Sequence, residues 1–255
     1  MRLAVMSDIH GNLTAFEAAL ADLEAVGAPD KLWVLGDLAA FGPCPAECIQ
    51  RTQSLVDTYG KDNVRLIRGN TDRDLVHGTR HPQAALEDAA QYADFIAEMA
   101  AINRALLWNL SQISFDDYTF LNKLDHETRL DVPGYGHVIG YHGIPGNDEG
   151  RLTPETPDDE ARDALLDREG RLGIGAHIHI QMDRDLGDWR LVNDGSVGMS
   201  NQNPGQAQWV LLTFADGDVT VDLRNVPYDV DAFINDLRAS GHPEPDWAVR
   251  KFKLV

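Results

Sequence analysis

The sequence has little cysteine, little lysine and no long apolar run, and each shortage excludes a class of protein. It holds two cysteines in 255 residues, Cys44 and Cys48. A disulfide-stapled scaffold or a cysteine-only metal site needs more. Their i, i+4 spacing puts both on one helix face, where reduced thiols pack as small hydrophobes. No stretch approaches the roughly 18 consecutive apolar residues of a membrane helix. The N-terminus turns polar at Ser7-Asp8, too soon for a secretory signal. A cytoplasmic location with no membrane partner is therefore expected. Basic residues number 22 against 41 acidic ones, a net charge of −19. That balance disfavours broad nucleic-acid binding, which takes many Lys and Arg contacts. It leaves room for a small phosphate ester held by metal ions, because ions bring their own positive charge.

What is present points to one α/β domain. Apolar residues make up 43% of the chain, enough at this length to bury a core without staples. Leu3 to Met6, Lys31 to Leu35 and Val64 to Ile67 read as strands. Between them lie helical stretches from Asn12 or Thr14 to Val26 and from Pro45 to Tyr59, ended by Gly27 and Gly60. Alternating strands and helices mark a parallel sheet. Helical spacing continues over 83–110, within an insert of about 83–130. His137 to Tyr141 and Leu172 to Gly175 read as strands, with a helix from Thr156-Pro157 to Glu169 between them. Two hairpins follow, Met182–Leu186 with Trp189–Val192 and Trp209–Phe214 with Val219–Arg224. A last helix covers Val230 to Ser240, and the Pro-rich, then basic, chain end is expected to pack loosely. The apolar strands of the last third could serve a homodimer.

Five motifs follow predicted strands: Asp8-Ile9-His10, Gly36-Asp37, Gly69-Asn70-Thr71-Asp72, His142-Gly143 and His177-Ile178-His179. Taken singly, each is weak: Gly-Asp is a common turn, and a lone His-x-His is usually a strand face. Together they fall on the strand edge where open α/β sheets bind ligands. Two Asp, one Asn and four His form a mixed oxygen and nitrogen set that suits Mn, Fe, Zn or Ni better than Ca or Cu(I). Seven ligands are too many for one ion. They suit two ions roughly 3.5–4 Å apart, clamping a displacement at phosphorus. Asp37, central in the set, is the natural shared ligand.

This ordered set, from Met1 to about Ser200, resembles the calcineurin-like metallophosphoesterases, in particular their bacterial and archaeal phosphodiesterase-type branch. The stretch Asn193-Asp194-Gly195-Ser196 resembles an Asn-Pro-Gly-Ser segment of that branch. The resemblance implies a four-layer α/β/β/α sandwich of two mixed sheets in a single domain, 1–255. It implies that Asp8, His10, Asp37 and His179 hold one metal ion, and that Asp37, Asn70, His142 and His177 hold a second. Manganese is expected first, with Fe, Zn, Ni or Mg as alternatives. A metal-bridging hydroxide would attack phosphorus in line, with Asp37, Asn70 and His142 as the catalytic residues. The partner expected is a small phosphorylated substrate. Protein Ser/Thr phosphatase activity and a non-catalytic scaffold of the same fold are the alternatives.

Two positions depart from the family pattern. Thr71 stands where many members carry a His after the Asn, and a Thr hydroxyl is a poor acid at neutral pH. Ala176 stands where Gly usually precedes the first His of the last motif. Asn12 and Arg73 are candidate phosphate contacts, with a helix cap and a surface ion pair as their respective plain roles. Asp72 is expected to bond backbone or a ligand His.

Overall fold

The structure is a computed structural model, and it describes residues 1–79 and 89–254. Part of the expected 83–110 helix, 83–88, lies outside the described residues.

The first strand, β1 (Arg2–Met6), is buried from Leu3 onward, and its two faces divide by alternation. Ala4 and Met6 face the helices, while Leu3 and Val5 face a second sheet. A strand buried on both faces reads as a continuous apolar run, which is the pattern seen here. Helix α1 (Leu13–Val26) follows, then β2 (Lys31–Val34), α2 (Pro45–Tyr59) and β3 (Val64–Leu66). β1, β2 and β3 pair in parallel.

Three helices come next: α3 (Asn70–His77), α4 (Ala89–Gln112) and α5 (Phe115–Lys123). The helical insert expected over about 83–130 ends sooner, at Lys123, and β4 (Glu127–Val132) then pairs antiparallel with β5 (Gly136–Tyr141). The chain continues through α6 (Asp158–Asp163), β6 (Leu172–Gly175), β7 (Gln181–Asp185) and β8 (Arg190–Asp194). The second sheet runs β4-β5-β6-β8-β7. The last hairpin, β9 (Gln206–Ala215) and β10 (Asp218–Pro227), returns to the first sheet, whose order is β10-β9-β1-β2-β3. Helices α7 (Val230–Ala239) and α8 (Pro245–Lys251) close the chain.

Leu3, Val5, Trp33, Leu172, Ile174 and Val192 meet between the two sheets, in the manner of a face-to-face sandwich. The expected four layers are present, unequal in thickness. Helices α1, α2 and α4 cover one sheet. The other outer layer is thin, since α6 is far shorter than the helix expected to reach Glu169. Only Ala161 and Leu165 of that stretch are buried, and Leu166 is exposed. The chain end is also corrected. Trp247, Ala248, Val249 and Phe252 are buried, and the Trp247 indole N–H donates to Glu98 Oε2 at 2.8 Å. A Pro-initiated helix short enough to look like a tail is tied to α4 by Trp247 and to α7 by Phe252.

Candidate metal centre

The five motif loops meet at one sheet edge because two pairs of glycines let backbones touch. A Cβ on Gly36, which sits at φ 93°, would fall on the Gly69 backbone. One on Gly42 would strike Gly11 and the His10 carbonyl. Asp8, His10, Asp37, His177 and His179 take left-handed backbone angles, with φ from 52° to 68°. Such angles are uncommon outside glycine, and they cluster where surrounding structure over-determines the geometry. Here they turn five candidate ligands toward one point.

Two groups of ligand atoms result: Asp8, His10 and His179, and Asp8, Asp37 and His142, with the atoms of each group within 4.8 Å of one another. Asp37 Oδ2 lies 3.7 Å from His10 Nε2 and 3.4 Å from His142 Nε2, between the two groups. Asn70 Oδ1 lies 3.0 Å from His142 Nε2 and 2.9 Å from His177 Nδ1. All seven predicted ligands are therefore gathered in one cluster. Asp8 sits as centrally as Asp37.

The histidines are held in a ligand-ready form. Nδ1 of His10, His142 and His179 faces the backbone carbonyls of Ala40, Leu35 and Met199 at 3.2, 2.7 and 2.8 Å. A carbonyl can only accept, so each Nδ1 carries the proton and each Nε2 presents its lone pair inward, unless the ring is charged. His10 Nε2 and His179 Nε2 then face each other at 3.1 Å. Two lone pairs at that distance repel unless a cation or proton stands between them. The donor chemistry thus fits metal ions.

The charge pattern agrees. Burial pushes the Asp8 and Asp37 carboxyls up, but the neighbouring imidazoles outweigh it and hold both well below the usual range. Burial pulls His142 down, yet Asp37 and Asp8 push it up to about 10. A proton on His142 occupies the place of the positive charge that two buried carboxylates require. Burial and the His142 charge lower His177 to about 4, which leaves its ring neutral at pH 7.

Other predicted residues take supporting places. Asp72 accepts the backbone N–H groups of Asp37, Leu38 and Gly69, so it fixes the second and third loops together. Thr71 is buried, its N–H donates to Asp37 Oδ1 at 2.9 Å, and its hydroxyl has no partner. Asn12 spends both ends of its amide away from the cluster, capping α1 at Ala15 N and donating to the Gly198 carbonyl. Arg73 pairs with Asp148 and Glu149 at 2.8 and 2.6 Å, beside a cavity that His142 also lines.

Three residues escaped the sequence reading. Asn109 on α4 accepts from Phe41 N and donates to the Gly42 carbonyl, clamping the Asp37 loop onto the insert. Nothing local in the sequence marks it. Ser7 Oγ lies 2.6 Å from Asp8 Oδ2 and 2.8 Å from Asp194 Oδ1. One hydroxyl proton cannot serve two carboxylates. Burial and the charge of Asp8 push the Asp194 carboxyl well above its ordinary range, and a protonated Asp194 completes the chain by donating to Ser7, which donates to Asp8. The signal was available: Asp194 stands where the resembling segment has Pro, and a buried Asp in place of Pro needs a partner.

Comparison with known proteins agrees with this geometry. The profile of the calcineurin-like phosphoesterase superfamily domain matches residues 1–217. An uncharacterised protein of Methanocaldococcus jannaschii is 26% identical over 243 residues, covering 89% of this chain and 88% of that one. A symmetrical bis(5'-nucleosyl)-tetraphosphatase of Klebsiella pneumoniae is 37% identical over 76 residues, covering 30% of this chain and 25% of that one. A metallophosphoesterase structure from Sphaerobacter thermophilus superposes with a TM-score of 0.71 at 21% identity, covering 99% and 98% of the two chains. Among the described residues, no helix is long and apolar enough to cross a membrane.

Proposed function

The chain belongs to the calcineurin-like phosphoesterase superfamily, and from that premise we propose that it is a dinuclear metal-dependent phosphoesterase acting on a phosphodiester or small phosphorylated metabolite. The observation that carries this reading is the set of three imidazoles whose Nδ1 atoms are anchored on carbonyls and whose Nε2 atoms converge on two buried carboxylates. When bound, two divalent or trivalent ions, manganese first and Fe, Zn, Ni or Mg as alternatives, supply Lewis-acid charge and activated water for in-line displacement at phosphorus. Asp8, His10 and His179 would hold one ion. Asn70, His142 and His177 would hold the other, with Asp37 between them.

The chain's own residues set the substrate demands. Asp72 keeps Asp37 and Asn70 in register through backbone bonds. Thr71 offers only a buried hydroxyl where an acid would stand, so departing groups that are stable as anions are favoured. Bis(p-nitrophenyl) phosphate supplies such a group. The purified protein is expected to hydrolyse it with Mn²⁺ and to stop with EDTA. Asp37→Asn is expected to lose turnover by at least about 10³-fold, since removing a single stabilising donor from an active site already costs about 10²–10³. Full metal-dependent turnover by Asp37→Asn, or none by the parent with any divalent ion, would overturn the reading.

A further inference from the structure

We propose that the cavity beside His177 and His179 is a second anion subsite, which takes the phosphate groups next to the scissile one in a substrate bearing a di- or triphosphate chain. The proposal rests on the phosphoesterase reading for its substrate, and on an independent observation for its location.

The cavity, about 460 Å³ in volume, opens directly off the ligand cluster. Arg151, Arg250, Lys251 and Lys253 also line it. Nine other arginines, Arg51 and Arg224 among them, are ion-paired to carboxylates. Among the described residues these four cations form no ion pair, although acids outnumber bases 41 to 22 in the chain. Lys251 and Lys253 are two of only five lysines. One carboxylate, Glu98, also lines the cavity, and its Oε2 is engaged by Trp247. Four cations and one carboxylate leave a local charge of +3 in a protein of net −19.

Clustered like charges repel, and a bound anion relieves that repulsion. The cluster is also built rather than incidental. Lys251 Nζ sits 5.7 Å over the Phe41 ring and 6.0 Å from the Trp247 ring centre, and Trp247 is buried. Phe41 in turn stacks on His10 with ring centroids 5.7 Å apart. The C-terminal helix is thereby fixed against the loop that carries Asp37. The chemistry is that of a phosphate chain, because lysine and arginine side chains supply only donors and positive charge. The volume suits a few phosphate groups. The acidic remainder of the surface repels a long nucleic-acid strand.

The test is calorimetric binding of inorganic tripolyphosphate to the metal-stripped full-length protein, with orthophosphate as second probe. Tripolyphosphate is expected to bind more tightly than orthophosphate and to weaken as salt rises. The double variant Arg151→Gln/Arg250→Gln, both exposed positions, is expected to bind it at least about tenfold more weakly, from the loss of two close charges. Arg51→Gln removes one charge from the Glu17 pair elsewhere on the surface and is expected to stay within about twofold. No binding of tripolyphosphate, no preference over orthophosphate, or equal affinity in parent and double variant would overturn the subsite. Failure of the phosphoesterase reading shows separately, as absent Mn²⁺-dependent turnover of bis(p-nitrophenyl) phosphate in a protein that still binds tripolyphosphate.

Discussion

The two halves of the ligand cluster are built to different standards. On one side Asp8, His10 and His179 are all buried, and both imidazoles are anchored on carbonyls. Asp8 is further held by Ser7 and by the His177 N–H at 3.0 Å. On the other side stand a neutral amide, one anchored imidazole, and His177, which is only half-buried and turns Nδ1 inward. Both carboxylates are shared, but Asp8 lies nearer the first half, 3.0 Å from His179 Nε2 against 4.0 Å from His142 Nε2. Both halves come from similar-looking motifs, so their inequality is a lesson in environment: equal ligand counts do not give equal sites when anchoring and charge differ.

The sharpest way to break that comparison is to remove one imidazole from each half. His10→Ala is expected to weaken the tighter of two manganese-binding events by more than about 100-fold, since even outer partners of metal ligands contribute about 10–100-fold. His177→Ala should weaken only the looser event, and by less. Metal titration followed by calorimetry reads both, and equal losses would show that the halves are equivalent. A smaller effect is expected at the support. Ser7→Ala and Asp194→Asn do not remove a ligand, but they loosen Asp8, and outer partners of metal ligands typically contribute about 10–100-fold in affinity. The larger loss should fall on the first half, to which Asp8 lies nearer. An equal loss in both events would mean that Asp8 serves them equally.

The smallest expected effect is a shift of stability with pH. In the metal-free protein His142 is raised from 6.5 to about 10, so the folded state holds more protons than the unfolded chain between those values. Its contribution is fully present below pH 6.5 and is lost as pH rises through about 10. A metal ion held by His142 would replace that proton. The melting-temperature gap between metal-loaded and metal-free protein is therefore expected to widen from pH 6.5 to 9. A constant gap would show that His142 carries no such proton.

Much of the frame was legible in the chain. β1, β2, α1 and α2 lie close to where apolar runs, Gly27 and Gly60 put them, because local alternation and glycine stops report local geometry. Less legible was the stretch after Lys123, where β4 does alternate Thr128, Leu130 and Val132 with Glu127, Arg129 and Asp131, but the strand is short and only Val132 is fully buried. α8 was missed for a related reason: seven residues are too few for periodicity to show, and tertiary contacts of Trp247 and Phe252 stabilise it. The helix expected over 156–169 shrank to α6, and only Ala161 and Leu165 of that stretch are buried, too small an apolar face to hold a longer helix.

The sequence by itself determined the chemistry available at the site. Seven oxygen and nitrogen donors in five strand-following motifs can be read from residue types alone, because ligand identity is a property of side chains. Tertiary structure decided how those donors are used. Left-handed backbone at five of them, Nδ1 anchoring by carbonyls of distant loops, the Asp194–Ser7–Asp8 chain across 187 residues and the unpaired cations of α8 beside His177 all depend on contacts between segments far apart in the chain. No local pattern encodes such contacts, since they exist only once both sheets and the C-terminal helix have packed.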